Sequence, residues 1–360
     1  MNLKDSKWIK GTIYKYAGTG IAGYSGDGGK SDVALLNGPA GLAIDNEDNV
    51  FVAEIHNNLI RKIDAKTRII TTVVGCALNG FDGDGGLAIY AKLNGPEGVF
   101  VDMYGNIYIA DTHNQRIRMV EAQTGIISTI AGTGEAGYNG DNMRARKAKL
   151  NYPSGIVVDS KGNVYFNDYK NDRVRKIDQY GMISTYAGTG IHGYSGDGGL
   201  AYNGQINDVY GLGIDRNDNI YIMDSLNYAV RKVDAKTRII STVVGKGSPG
   251  SIVEFESVCS SFIGGPVHEK GTIGMEVPHA VEVNSDGNIF IADTGSYRIR
   301  MVNLEQDLLY TVAGNGVKGC FGDNGKALDA SLNVHGLRID SNNNLYFVDF
   351  HNHVIRVIRF

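Results

Sequence analysis

Residues 41–75 read GLAIDNEDNVFVAEIHNNLIRKIDAKTRIITTVVG, and the pattern returns at residues 98–132 as GVFVDMYGNIYIADTHNQRIRMVEAQTGIISTIAG. Four further copies begin at Gly155, Gly211, Ala280 and Gly336. The six starts are separated by 57, 57, 56, 69 and 56 residues. A repeat of this length that contains four strand patterns is typical of one blade of a β-propeller. The sequence therefore predicts an all-β, six-bladed β-propeller with four antiparallel strands in each blade.

The first copy shows how one repeat forms one blade. Gly41 to Asp45 is a short apolar run suited to a buried innermost strand, and Val50 to Ala53 follows it after a polar turn. Leu59 to Ile63 alternates apolar and basic residues, as a half-exposed strand does. Ile69 to Val74 is rich in β-branched residues and is expected to be the outermost strand.

The two ends of the chain predict how the last blade is completed. The sixth copy stops at Val354–Ile358, which matches only a third strand, whereas residues 11–18 match the fourth-strand pattern of residues 126–132. We therefore expect the N-terminal strand to complete the sixth blade, because that pairing covers two open sheet edges. Residues 1–10 are interpreted as a lead-in, and residues 11–360 as a single propeller.

Composition excludes several classes of protein. The chain of 360 residues has a formal net charge of −4 with its basic residues spread over all repeats, unlike a nucleic-acid-binding protein. No apolar run approaches the length of a membrane span, and the first residues do not resemble a signal peptide. Cys76, Cys259 and Cys320 are widely spaced and form no CxxC motif, which favours a reducing compartment. We expect a cytoplasmic monomer, or a secreted one if a leader has been removed.

The order of motifs resembles the NHL repeat family. The motifs are a Gly-Asp-Gly-Gly loop, a Pro-x-Gly strand ending in Asp, a Gly-Asn strand ending in Ala-Asp, and an Asn-x-Arg turn, and the resemblance covers about residues 11–360. It implies a six-bladed propeller that serves as a docking surface, a sensor domain or, as in the peptide-amidating lyase, an enzyme. Strictosidine-synthase-like propellers are structural relatives. Fold alone leaves these functions open.

Two repeated motifs are interpreted as structural. The aspartate of the glycine-rich loop, such as Asp27, is expected to cap the turn that follows it, since that single turn takes the place of the long helix that follows a phosphate-binding loop. One acid ends each second strand, as Asp111 does, and we expect it to cap its own turn and to pair with the arginine that begins the third strand, such as Arg116. The alternative for this ring of acids is a cation site.

The repeats differ at the position before the glycine of the innermost strand, which we expect to lie at the mouth of the axial channel. The residues there are, in order, Ala40, Glu97, Ser154, Tyr210, His279 and His335. The fourth to sixth repeats thus carry large polar or ionisable side chains where the earlier ones mostly do not.

An insertion at about residues 248–275 is the second irregularity. It replaces the glycine-rich loop between the fourth and fifth repeats and contains Cys259 and His268. Because loops that join fourth to first strands share the face on which the mouth lies, we expect the insertion to lean over the mouth. Irregular loops on a rigid scaffold are frequent sites of function.

Two kinds of chemistry remain open at the mouth. His279 and His335, with His351 or His353, could hold a divalent metal such as zinc through imidazole nitrogens. The segment Pro278-His279 resembles a zinc-ligand segment of the peptide-amidating lyase. The metal-free alternative uses Glu97, reminiscent of strictosidine-synthase-like enzymes, with Tyr210 and His279 as acid–base groups.

The sequence therefore supports two functions. The first is a binding module that holds a protein or peptide segment or a small ligand at the axial mouth. The alternative is a lyase- or hydrolase-type enzyme, metal-dependent or not, whose catalytic residues are Glu97, Tyr210, His279 and His335. The additional residues predicted to contact a ligand are Ser154, Cys259, His268 and His351.

Overall fold

A computed structural model describes residues 8, 10–245, 251–253, 272–274, 277–306 and 308–360. The chain is the predicted all-β, six-bladed propeller with four antiparallel strands in each blade. Contacts divide it into two compact units, one of Tyr16–Tyr186 and one of Met1–Lys15 with Ala187–Phe360. The described residues contain no helix long and apolar enough to cross a membrane.

The unit Tyr16–Tyr186 carries the first three blades. The strands of the first blade are β2 (Pro39–Ile44), β3 (Val50–Glu54), β4 (Leu59–Ile63) and β5 (Ile70–Val74). Those of the second blade are β6 (Pro96–Val101), β7 (Ile107–Asp111), β8 (Arg116–Val120) and β9 (Ile127–Ala131). Those of the third are β11 (Pro153–Val158), β12 (Val164–Asp168), β13 (Arg173–Ile177) and β14 (Met182–Ala187), with the short β10 (Met143–Arg144) on the outer edge beside β14.

The second unit carries the remaining blades. The fourth comprises β15 (Val209–Ile214), β16 (Ile220–Asp224), β17 (Ala229–Val233) and β18 (Ile240–Val244). The fifth comprises β21 (Ala280–Val283), β22 (Ile289–Asp293), β23 (Arg298–Asn303) and β24 (Leu308–Ala313). The sixth comprises β26 (Val334–Ile339), β27 (Leu345–Asp349), β28 (Val354–Arg359), β1 (Thr12–Ala17) and the short β25 (Gly325–Lys326).

The N-terminal strand completes the sixth blade, as the sequence predicts. In that sheet β1 lies between β28 and β25. Ile13 is fully buried there, in a hydrophobic cluster that includes Phe290, Leu332 and Ile358. The strand therefore contributes core side chains as well as backbone hydrogen bonds.

The predicted insertion is described only in part. Within it, β19 (Ser251–Val253) and β20 (Thr272–Gly274) pair in antiparallel fashion. Cys259 and His268, both predicted to contact a ligand, lie outside the described residues.

Short 3₁₀-helices connect the strands at equivalent places in the repeats. Those that precede a blade are Ser31–Val33, Ala88–Tyr90, Ala145–Lys147, Ala201–Asn203 and Ala327–Asp329. Those that follow a second strand are Thr112–Asn114, Tyr169–Asn171, Ser225–Asn227 and Phe350–Asn352.

Neighbouring innermost strands approach each other so closely that glycine is required. A Cβ on Gly98 would collide with the carbonyl oxygen of Ser154 on the next blade, and one on Gly211 would lie 2.6 Å from that of His279. The repeated glycine thus allows the backbone of one blade to pack directly against the mouth residue of the next.

Candidate functional site

Three rings from consecutive innermost strands meet in the second unit. The ring centroids of Tyr210 and His279 are 4.6 Å apart in an edge-to-face arrangement. His279 stacks on His335 with centroids 4.3 Å apart and an interplanar angle of 18°. The structure therefore brings together three of the four residues predicted to be catalytic.

A fourth ring extends the stack. Phe350 lies in the turn after the second strand of the sixth blade, 4.7 Å from His335 and tilted from it by 28°. Its ring also contacts His351, which is exposed and lies 6.5 Å from His335. We call Tyr210, His279, His335 and Phe350 the ring ladder. The sequence analysis missed Phe350, because aromatic residues also occur in this turn of other repeats, as Tyr169 does at the equivalent position of the third.

Hydroxyl groups from neighbouring blades hold the two histidine backbones in place. The Oγ of Ser225 donates to the carbonyl of Pro278 over 2.6 Å, just before His279. The Oγ1 of Thr294 donates in the same way to the carbonyl of Val334 over 2.8 Å, just before His335. Both hydroxyls are buried in short turns. Their hydrogen bonds fix the backbone just before each of the two stacked rings.

Burial keeps the two stacked histidines uncharged at neutral pH. Removal from water lowers the pKa of His279 to about 4. Burial, with His279 and His351 nearby, lowers the pKa of His335 to about 3. The buried Nδ1 of His279 has no hydrogen-bond partner among the described residues. The ladder thus offers neutral ring faces and one free polar atom.

The ladder in its present arrangement is unsuited to bind a metal. A metal ion lies close to the ring plane of each imidazole that binds it, and the planes of His279 and His335 are nearly parallel and stacked. The part of the chain that the structure describes holds no group of three or more His, Cys, Asp or Glu residues suited to a metal ion. Zinc at this pair stays a prediction that requires one ring to rotate.

Glu97 and Ser154, the predicted site residues in the unit Tyr16–Tyr186, have different surroundings. Burial alone raises the pKa of Glu97 to about 7, so that it exchanges a proton near neutral pH. Ser154 is buried, with 4% of its surface exposed, and its carbonyl packs against Gly98. Their roles at a site stay predictions.

A charged pair missed by the sequence analysis lies further along the same innermost strands as the histidines. Nη1 of Arg338 donates to Oε2 of Glu282 over 3.0 Å. Burial raises the pKa of Glu282 to about 7, against the lowering effect of Arg338. The sequence already distinguishes this pair, because only the fifth and sixth repeats have a charged residue at this position and the first four have uncharged ones. Those residues are Ala43, Phe100, Val157 and Gly213.

The ring of acids is structural, but its arginine partners differ from those expected. Arg118, two residues after the predicted Arg116, is fully buried and its Nη1 lies 3.6 Å from Oδ2 of Asp111. Arg116 instead donates to the carbonyls of Asn114 and Thr133. The arginines equivalent to Arg118 are all fully buried: Arg61, Arg175, Arg231, Arg300 and Arg356. Alternation does not distinguish Arg116 from Arg118, since residues two apart lie on the same face of a strand.

The loop aspartate does not cap the turn, which corrects the other structural prediction, that for Asp27 and its equivalents. Asp27 accepts hydrogen bonds from Nε and Nη2 of Arg61 in the blade that follows, at 3.1 and 2.7 Å. The 3₁₀-helix Ser31–Val33 has no side-chain cap. The equivalent loop aspartates that pair with a buried arginine are Asp84, Asp141, Asp197 and Asp323. An ion pair thus links each of these loops to its blade.

Comparison with known proteins agrees with this architecture. A family model described as the Teneurin NHL domain matches residues 78–139 and 133–195. The chain is 26% identical over 313 residues to NHL repeat-containing protein 2 of Gallus gallus, a match that covers 78% of this chain and 41% of that protein. The chain thus spans about two fifths of the length of that relative.

Solved structures share the fold at low identity. An auxiliary nutrient binding protein from Bacteroides thetaiotaomicron superposes with a TM-score of 0.66 and 17% identity, covering 97% of this chain and 76% of that one. A catalytically inactive virginiamycin B lyase from Staphylococcus aureus, with Quinupristin, gives a TM-score of 0.54 and 12% identity, covering 98% and 100%.

The fold and the ring-lined innermost strands define a six-bladed repeat propeller with one irregular sector. Its repeat motifs and its sequence matches support an NHL-repeat propeller.

Proposed function

We propose that the chain is a binding module whose ring ladder receives an aromatic or apolar group of a peptide or small ligand. The observation that carries this proposal is the continuous series of ring contacts from Tyr210 to Phe350, edge-to-face at Tyr210 and stacked from His279 onward. Ring faces attract other aromatic groups by stacking, at about 0.5–1.5 kcal/mol for each pair beyond the burial of area.

The unpartnered Nδ1 of His279 adds a polar contact. Ligand sites are mostly apolar, with a few polar atoms that fix orientation. A buried nitrogen without a partner gains from a ligand donor or acceptor placed beside it, because leaving it unsatisfied has a free-energy cost. The favoured ligand is therefore a planar group that carries a hydrogen-bonding atom, such as an aromatic residue in a peptide.

Saturation-transfer NMR with N-acetyl-tryptophanamide, N-acetyl-phenylalaninamide and N-acetyl-leucinamide tests the proposal. The two aromatic probes should receive transfer from the wild-type protein, and the Phe350→Ala and His335→Ala variants should lose most of it. The matched control is Tyr90→Ala, which removes a ring that is 74% exposed and stands outside the ladder. Equal transfer in all four proteins would contradict ring-specific binding.

The alternative is a lyase- or hydrolase-type enzyme. It is favoured by Glu97, whose pKa of about 7 suits a general acid or base, whereas the low pKa of His279 disfavours protonation of that ring. Incubation with quinupristin, followed by mass spectrometry, tests it directly. Conversion by the wild-type protein that disappears in Glu97→Gln would favour the enzyme, whereas unchanged quinupristin leaves the binding module as the better account.

A further inference from the structure

One glycine-rich loop departs from the others by its charge. The segment of residues 143–149, before the third blade, reads Met-Arg-Ala-Arg-Lys-Ala-Lys. Arg146 and Lys147 stand where the second blade has Ile89 and Tyr90. The corresponding pairs before the first, fourth and sixth blades are Asp32 and Val33, Tyr202 and Asn203, and Leu328 and Asp329. Two adjacent basic residues therefore mark this loop in a chain whose net charge is −4.

The segment is held rigidly along the outer edge of its blade. Arg144 pairs with Met182 in the sheet, and its Nη1 donates to the carbonyl of Tyr180 over 2.5 Å. Ala145 is buried, and its N–H donates to the carbonyl of Gly181. Because Ala145 anchors the 3₁₀-helix, the next two side chains, those of Arg146 and Lys147, are exposed to solvent.

The two exposed basic groups are not neutralised within the described residues. Neither Arg146 nor Lys147 has a side-chain hydrogen bond or ion pair there. Lys149 differs, since its Nζ lies 2.7 Å from Oε2 of Glu135. Asp178, on the other side, uses its Oδ1 to accept the N–H groups of its own turn at residues 180 and 182. Two positive charges are therefore available to a partner.

A cleft of about 530 Å³ lies beside these charges, between the second and third blades. Its apolar lining includes Met119 and Ile130 from the second blade and Val164 and Ile177 from the third. Arg144, Arg146, Lys147 and Asp178 also line it, and because the basic side chains outnumber the acidic one we call it the basic cleft. Its volume falls within the range of about 300–1,000 Å³ that is usual for ligand sites.

The apolar lining distinguishes this cleft from the equivalent places in three of the other repeats, whereas the fifth and sixth repeats have Met301 and Val357 at the position of Met119. Met119 stands where the first, third and fourth blades have Lys62, Lys176 and Lys232. In the first blade, Nζ of Lys62 lies over the ring of Phe51, 5.3 Å from its centroid, and the ring equivalent to Phe51 is Tyr108. With Met119 in place of lysine, the side chain at this position carries no charge, and a half-buried apolar surface remains.

We propose that the basic cleft binds an acidic peptide segment of a protein partner, with an apolar side chain inserted between the blades. The unpaired charges of Arg146 and Lys147 attract carboxylates, and the surface around Met119 and Ile130 buries the apolar side chain. A nucleic acid is disfavoured, because its bases would need exposed aromatic rings on which to stack, and the lining is mainly aliphatic. Local charge complementarity thus selects the partner in a protein that is acidic as a whole.

Fluorescence anisotropy tests the proposal with a labelled ten-residue peptide that has a central Phe-Leu pair flanked by four acidic residues on each side. Three related probes are compared: the peptide with Ser-Ser at its centre, the peptide with amides in place of its acids, and a single-stranded oligonucleotide of equal charge. The protein variants are Arg146→Glu/Lys147→Glu and Met119→Lys, the latter introducing the lysine that the first, third and fourth blades have at this position. The control is Lys66→Glu/Lys236→Glu, which makes the same change in net charge at two exposed turn positions.

The first peptide should bind the wild-type and control proteins, and each cleft variant should weaken binding by about tenfold or more. Both altered peptides should bind more weakly than the first. Three results would each overturn the proposal: no binding of the first peptide to the wild type, equal binding to wild type and cleft variants, or tighter binding of the oligonucleotide with the same sensitivity to the variants.

Discussion

His279 and His335 illustrate how a single residue type links the site to the stability of the fold. In the unfolded chain a histidine has a pKa near 6.5, whereas burial lowers the pKa of these two to about 4 and about 3. Between those values the unfolded state binds more protons than the folded state. Stability is therefore fully present above about pH 6.5 and is lost as the pH falls below it.

Replacing both residues in His279→Phe/His335→Phe should remove this acid sensitivity while keeping two stackable rings. Each histidine contributes up to about 1.4 kcal/mol per pH unit in the window below pH 6.5. Urea unfolding at a series of pH values should show the wild type losing more stability than the variant on acidification. His192→Phe, at an exposed ring, is the control and should behave like the wild type. Parallel curves for wild type and double variant would contradict the burial argument.

The buried arginines set a second residue-scale expectation. Arg118 pairs with the fully buried Asp111 and with Asp84, whose side chain is 36% exposed. Arg118→Met should lower the free energy of unfolding by about 3–5 kcal/mol, because it leaves a buried carboxylate without its partner. Asp84→Asn should cost about 1 kcal/mol, since water reaches that side of the pair. Urea unfolding measures both values. Equal losses in the free energy of unfolding for Arg118→Met and Asp84→Asn would contradict the distinction between the buried and the exposed side of this pair.

At the scale of the element, strand identity was easier to predict than the direction of side chains within the strand. The third strand of the first blade was predicted at Leu59–Ile63, where the structure has it, and the second ends one residue later than predicted, at Glu54. Alternation in these strands fixes which faces are buried, but the choice between Arg116 and Arg118 as the partner of Asp111 depends on the register of the neighbouring strand and loop. That register depends on contacts between segments that are distant in the sequence, so the pattern within one strand cannot predict it.

The N-terminal strand gives a test of the predicted completion of the sixth blade. Ile13 is fully buried in β1, whereas Lys15, on the same strand, is exposed. Ile13→Asp should lower the free energy of unfolding by about 3 kcal/mol or more, because it places a carboxylate in an apolar cluster. Lys15→Asp should change it by less than about 1 kcal/mol. Chemical denaturation of both variants measures the difference, and similar losses would show that β1 is not held in this register.

At the scale of the whole molecule, repetition made the fold predictable and made departures from it informative. The spacing of six repeats was enough to predict the propeller, and comparison of equivalent positions found Tyr210, His279 and His335. The same comparison overlooked Arg146, Lys147 and Met119, because it was confined to the mouth. It could not supply the stacking of Phe350 on His335, since ring orientation depends on backbone contacts between blades.

The repeat architecture also makes the loops exchangeable, which allows the basic cleft to be tested without disturbing the fold. Residues 141–149 (DNMRARKAK) and 84–92 (DGGLAIYAK) occupy equivalent places. Both have a positive φ at their second residue, 59° at Asn142 and 84° at Gly85, and both contain a 3₁₀-helix that begins at an alanine. Replacing the first segment by the second should therefore change the free energy of unfolding by less than about 1 kcal/mol.

The exchanged protein should lose binding of the acidic peptide, because its cleft keeps the apolar lining but not the charges. The reciprocal exchange, which places the basic segment before the second blade, should create no new site. Lys62 covers the ring of Phe51 there, whereas Met119 leaves the equivalent surface open. Anisotropy with the acidic peptide distinguishes the two designs. Binding gained by the reciprocal protein would mean that charge alone recruits the peptide, and the apolar lining would then have no part in recognition.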